Sequence, residues 1–250
     1  MKNIFTFLIL ISSLTSAQHT VKGVLSPKTE KSDWIILYKV EGTKQIFINS
    51  TSIKSDSLDV NGKKEVVGNF EFQIPSSAEP GVYRINYRLE GASFLDFFYN
   101  KEDVSFIFNP DYPEQLIIFL KSSENKLYNE YIETNSIAQQ QLDSIQIAVL
   151  QKPNLDLKKQ YKKAKQNVDS IQNKFIEASK DKYIAPFIKA NLRNNSEEIL
   201  TSLNDYMSNI KNTYFNTLDF SNNTLINSSF LTNKILEYVF YINFSDDKKT

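Results

Sequence analysis

The side chains able to do chemistry in this chain are few, and nearly all are carboxylates. Glu102 and Asp103 are adjacent, Glu130 and Glu133 stand three apart, and Asp246 and Asp247 sit together in a polar tail. Neighbours on a strand point to opposite faces, and a turn would leave them in water, so Glu102 and Asp103 read as solvated. Glu130 and Glu133 lie one helical turn apart and could share a site. No histidine, lysine cluster or glycine-rich loop joins them, and a working acid–base pair needs neighbours that shift its pKa. The cysteine count is zero, which removes thiolate nucleophiles, disulfides, Cys-ligated zinc and CxxC redox pairs. The single histidine, His19, reads as a solvated, unpartnered residue, and a Ser-His-Asp triad or multi-histidine metal centre cannot be assembled around it. The expectation is therefore no catalytic residue, no metal ligand and no cofactor-binding residue.

Charge excludes another class. Lys+Arg 29 balances Asp+Glu 29, so no positive field is available for nucleic acid or anionic lipid. The run Lys158, Lys159, Lys162, Lys163 and Lys165 reads as a solvated helix face. Neither a Walker nor a GxGxxG pattern is present, nor the basic–aromatic interleave of single-strand binders. The 18 Phe and 13 Tyr fall mostly at in-facing strand positions, which assigns them to a core. Three acidic-hydroxyl-apolar triplets, at Asp56, Asp143 and Asp169, resemble an O-glycosylation pattern of some exported bacterial proteins.

The elements that must position these residues fall into two halves behind an address. Residues 1–17, MKNIFTFLILISSLTSA, carry Lys2, an apolar run from Ile4 to Leu14, and Thr15 and Ala17 three and one before a cut ahead of Gln18. That is the pattern of a secretory signal peptide, and the run is short of the ~20 apolar residues a spanning helix requires. From 18 to 121 the period is two. Phe70, Phe72 and Ile74 alternate with Asn69, Glu71 and Gln73; Tyr83, Ile85, Tyr87 and Leu89 alternate with Arg84, Asn86 and Arg88. Pro80-Gly81 fits a type II turn and Asn61-Gly62 a hairpin. Trp34 to Val40 and Phe94 to Tyr99 are apolar on both faces, so one sheet needs cover on its outer side, which the helical half would supply.

From 122 to 250 the period changes. Leu157, Tyr161, Ala164, Val168, Ile171, Phe175 and Ala178 form a heptad seam, matched by Leu127, Tyr131, Ala138, Leu142, Ile145 and Val149. The break at Gln151-Lys152-Pro153-Asn154 predicts two antiparallel helices. Pro186 is expected to end or kink the second, Asn195 with Glu198 to cap a third, and Ser228 or Ser229 to cap a last one. That last helix carries Leu231, Ile235, Tyr238, Val239 and Ile242 as an apolar stripe, which implies something packed on it. The fold class predicted is α+β: an N-terminal antiparallel β-sandwich of seven or eight strands, then an α-helical hairpin or bundle.

These segments carry a family likeness. WIILY at Trp34, the Gly-x-Phe-x-Phe pattern at Gly68, Phe70 and Phe72, then PGVYRINY and FLDFFY resemble the domain of unknown function that precedes the thioredoxin-like domain of exported TlpA-type thiol–disulfide oxidoreductases. Phe215, Asp219, Phe220, Leu225, Phe230, Leu231, Lys234, Ile235 and Tyr238 resemble the helical segment of the same proteins. In that family the redox work belongs to a C-terminal CxxC domain, which this sequence lacks, so the resemblance transfers no catalytic residue. It implies a chain exported to the periplasm or outer envelope of a Gram-negative cell, with an envelope protein as partner. Two expectations follow: a non-catalytic interaction module, or a truncated oxidoreductase leading to further helix and a redox domain. A carboxylate-dependent hydrolase built on Glu130 and Glu133 is the third class.

Overall fold

The computed structural model describes residues 18–29, 33–60, 62–88, 93–113, 115–152 and 156–243. The signal segment, Asn61, Leu89, Pro153-Asn154 and the Asp246-Asp247 pair lie outside the described residues.

Nine strands are present among the described residues: β1 (His19–Leu25), β2 (Trp34–Glu41), β3 (Lys44–Ser52), β4 (Lys54–Val60), β5 (Lys63–Ile74), β6 (Gly81–Asn86), β7 (Phe94–Tyr99), β8 (Val104–Phe108) and β9 (Ile117–Lys121). They form a five-stranded sheet in the order β4-β5-β1-β8-β9 and a four-stranded sheet in the order β3-β2-β6-β7. The chain changes sheets between β3 and β4 at Ile53, which is buried and donates its N–H to the Asp33 carbonyl at 2.8 Å. The sandwich is antiparallel apart from β1 and β8, which pair in parallel.

Period-two patterning fills the space between the sheets. Phe70, Phe72 and Ile74 of β5 face Tyr83, Ile85, Leu95 and Phe97 of the other sheet in one buried cluster. Phe106 is at its centre, with the rings of Phe70, Phe97, Phe108 and Phe119 within 5.6–6.0 Å. Each fully buried ring of this kind contributes about 1.5–3 kcal/mol by leaving water. Two tyrosines buried between the sheets keep their hydroxyls paired: Tyr83 donates to the Glu79 carbonyl and Tyr87 to the Pro110 carbonyl, both at 2.9 Å. Gly23 is required by close approach, since a Cβ there would stand 2.1 Å from the Phe70 ring. Gly81 departs from the turn expectation; it opens β6, and the positive-φ glycines are Gly42 and Gly62.

The helical half covers the outer face of the four-stranded sheet, as the doubly apolar strands require. Its elements are α1 (Ser123–Gln151), α2 (Lys158–Ser179), α3 (Ala185–Ala190), α4 (Leu203–Thr213), α5 (Asn223–Ile226) and α6 (Ser229–Glu237), the last running into a π-helical turn over Tyr238–Ile242. Val40, Val82 and Phe98 pack under Tyr131, Phe175, Ile184, Phe187 and Leu225. Helices α1 and α2 pair antiparallel through the expected seam, with Tyr131 against Phe175 at one end and Val149 clustered with Tyr161 and Leu157 at the other. No helix among the described residues is long and apolar enough to cross a membrane.

Two boundaries differ from expectation. Helix α2 ends at Ser179, and Pro186 lies in the first turn of the separate helix α3, where a missing N–H costs no hydrogen bond. Residues 192–202 are not helical, so Asn195 and Glu198 form no capping box; α4 starts later, with Ser202 accepting from the Asp205 N–H. Ser228 does cap α6, accepting from the Phe230 N–H.

Candidate functional site

The first candidate carboxylates are separated by their tasks. Glu102 reaches the start of α1, accepting from Ser122 Oγ at 2.6 Å and the Ser123 N–H at 3.1 Å. Burial opposes its ionisation, but these bonds and one from the Glu124 N–H outweigh it and hold the carboxyl below its ordinary range. Asp103 turns the other way, to the Thr20 N–H at 2.9 Å and Lys121 Nζ at 3.4 Å, and is likewise lowered, chiefly by the Thr20 bond. On α1, Glu130 pairs with Lys174 of α2 at 3.3 Å, both exposed, while Glu133 edges a shallow cleft with Ile137 and Ile171. The structure thus gives neither pair a shared proton or a common pocket.

Two readings need correction. His19 is half-buried rather than solvated, with Nδ1 2.8 Å from Tyr99 Oη and its ring edge-on to that tyrosine. Lys165 departs from the solvated face of its neighbours: it is buried between Asp169 at 2.8 Å and Glu197 at 2.9 Å, because the loop after α3 folds back over α2. Burial pulls its pKa down, and the two carboxylates more than restore it, leaving it raised. Lys158, Lys159, Lys162 and Lys163 remain exposed. In the three acidic-hydroxyl-apolar triplets, Ser57, Ser144 and Ser170 are exposed, while Asp143 and Asp169 are engaged in ion pairs.

A larger concavity lies elsewhere among the described residues, along α1. A cleft of about 760 Å³ is bounded by the second half of α1, the turn after α3, helix α4 and the end of α6. That lies within the ~300–1,000 Å³ usual for ligand sites. Its charges are already paired. Arg193 Nη1 donates to Asp143 at 2.7 Å and Nη2 to Tyr206 Oη at 3.1 Å. Burial works against the guanidinium charge, and Asp143 and Tyr206 overcome it, so its pKa stands above its ordinary value. Across the cleft Glu237 accepts from Tyr214 Oη at 2.5 Å and from Lys234 Nζ at 3.2 Å. Burial, then that carboxylate, pushes the Tyr214 pKa up. What remains open is neutral: carboxamides and hydroxyls, including Asn135, Ser136, Gln140 and Asn194, beside Ile147 and Ile210. The Oδ1 of Asn135 is buried without a partner.

A second cleft, about 370 Å³, adjoins it toward the start of α1. Its walls are β7, Ile117 and Phe119 of β9, Ile132 of α1, and Phe230 of α6, over a floor of Phe187. Protein-family models, curated proteins and solved structures yield no match to this chain. Among the described residues no group of three His, Asp or Glu side chains is placed to hold a metal ion.

Helix α1 organises all of this through amides that sequence reasoning passed over. Asn125 accepts from the Phe98 N–H at 2.8 Å and donates to the Phe98 carbonyl at 2.7 Å, standing in for one rung of a neighbouring strand. Gln146 does the same for Leu200, with bonds of 3.0 and 2.6 Å. Gln139 pairs reciprocally with Asn195 at 2.9 Å each way. Residues 125, 139 and 146 share one heptad position, interrupted by Ile132, so the signal was present only as spaced amides beside the apolar seam.

Proposed function

We propose that this chain is an exported, non-catalytic interaction module of the cell envelope, related to the region that precedes the redox domain in TlpA-type oxidoreductases. The observation that supports it is the cleft along α1: large, lined by neutral hydrogen-bonding groups, with each ion already paired to its counterpart. A catalytic site keeps a base or nucleophile in reach of its substrate; here the polar groups offer recognition. The test is a photo-crosslinking residue at Gln140, in the cleft, or at Lys163, on the outer face of α2, in the native cell. The expected result is an envelope-localised chain that forms a discrete adduct from position 140 and none from 163. A chain retained in the cytoplasm, or one giving the same adducts from both positions, would overturn the reading.

A second reading, a truncated TlpA-type oxidoreductase, is favoured by one observation. Leu236, Val239 and Phe240 at the end of α6 and in the π-turn are 47%, 52% and 63% exposed. A thioredoxin-like body would cover such a patch. An in-frame continuation of the gene encoding a CxxC segment supports this reading, and a stop followed by unrelated sequence removes it.

A further inference from the structure

The two clefts follow one another along the same three helices, and together they define one groove-like path. Helix α1 walls both, through Ile132 of the apolar cleft and Asn135 of the polar one, and α6 continues from Asn233 to Lys234 across the same junction. Helix α3 supplies the floor, with Phe187 under the first part and Ala190 under the second. From Asn125 to Ile147 the α1 wall rises ~33 Å, about ten residues of extended chain.

We infer that this groove holds an extended polypeptide segment of a partner, read through its main chain by the open edge of β7 and the carboxamides of α1. The inference rests on the interaction-module reading and names its partner class.

The edge of β7 supports it first. Backbone groups along an antiparallel strand alternate between facing the paired strand and facing away. Phe98 directs its N–H and C=O outward, where Asn125 takes both. Asp96, two residues earlier, therefore presents its own N–H and C=O on the same outward edge, and it lines the apolar cleft. A strand edge of this kind is a template for an added strand. The helix supports it second. Asn125 and Gln146 of α1 already hold a residue of backbone apiece by paired donor and acceptor bonds. Asn129, Asn135 and Gln140 are carboxamide residues among those lining the groove. Charge supports it third. Arg193 with Asp143 and Lys234 with Glu237 cancel within the groove, which suits a neutral main chain rather than a phosphorylated or nucleic-acid ligand.

The experiment measures fluorescence polarisation with the exported chain and a labelled pool of random-sequence peptides of about ten residues. A second pool carries N-methyl groups on alternate amides. The proteins are the wild type, Asn135→Leu and Asn129→Leu; neither side chain is one of the backbone clamps, so the melting profile verifies that the fold is kept. The expected result is binding of the plain pool, weakened by at least ~10-fold on N-methylation and in Asn135→Leu, a difference of about 1.4 kcal/mol. Should Asn135→Leu not fold, Asn129→Leu and the N-methyl pool decide the matter by the same ~10-fold loss. Equal binding of both pools, or no binding of the plain pool, overturns the main-chain inference. A neutral oligosaccharide such as maltoheptaose bound in place of the peptides also overturns it, while leaving the interaction module standing. Loss of the Gln140 adduct in cells together with no peptide or sugar binding removes both readings.

Discussion

The sandwich and the helical layer solve the same burial problem with different materials. Between the sheets the contacts are ring on ring, and the tyrosine hydroxyls are paired, those of Tyr83 and Tyr87 with nearby carbonyls and that of Tyr99 with His19. In the helical layer the apolar seam is supplemented by carboxamide clamps and ion pairs: Asn125, Gln139 and Gln146, Arg193 with Asp143, Lys165 with Asp169 and Glu197. Helix α4 buries no residue at all. Apolar packing has no directional demand and closes on itself. Hydrogen-bonded clamps hold elements apart at set distances, and the space left between them is the groove. The sandwich is thus closed on itself, and the clefts lie in and beside the helical layer.

That contrast can be broken most severely in the sandwich. Phe106→Ala should cost about 3–5 kcal/mol, since four rings lose their common neighbour. Urea unfolding should show a lowered midpoint for the whole chain, sandwich and helices together. Next in size, Asn125→Leu leaves the Phe98 N–H and C=O buried and unpaired, about 2–4 kcal/mol. Hydrogen exchange should localise this loss to the β7–α1 junction, with β1 and β5 still protected; loss of protection throughout would deny the two-part description. Gln146→Leu strands the Leu200 backbone, which is nearer solvent, at about 1–3 kcal/mol, and exchange should rise in residues 192–202 alone.

The smallest effects sharpen the comparison through pH. Glu102 has a folded pKa below its ordinary 4.5, so its contribution is complete above that value and is lost as pH falls through the lower folded one. Glu102→Gln should flatten the acid limb of the stability curve. Lys165 has a folded pKa above its ordinary 10.5, so its contribution is complete below that value and is lost as pH rises through the higher one. Lys165→Met should flatten the alkaline limb. Thermal melts of the two variants across pH separate the junction from the helical layer.

Much of the architecture is legible in residue order because burial imposes a period. Phe70-x-Phe72-x-Ile74 and the heptads from Leu157 to Phe175 have one low-energy way to hide their apolar faces, the first as a strand and the second as a helix. The doubly apolar β2 and β7 announce a second layer, and Phe98 and Val40 have it. Local signals without a period are less dependable. Asn195 and Glu198 have capping-box spacing, yet the Asn195 side chain is taken by Gln139, 56 residues away, so the cap does not form. His19 reads as solvated in the sequence because its partner, Tyr99, lies 80 residues on.

The sequence by itself determined the two kinds of element, the balance of charge, the lack of thiols and the need for a layer over one sheet. Those properties depend on composition and on spacing within a single segment. Only the tertiary structure decided which carboxylates separate, which lysine is buried, and that α1, α3 and α6 together line two clefts. Each of these depends on partners brought together by chain reversal, and a hydrogen bond across 27 or 54 residues leaves no periodic mark in the order of amino acids.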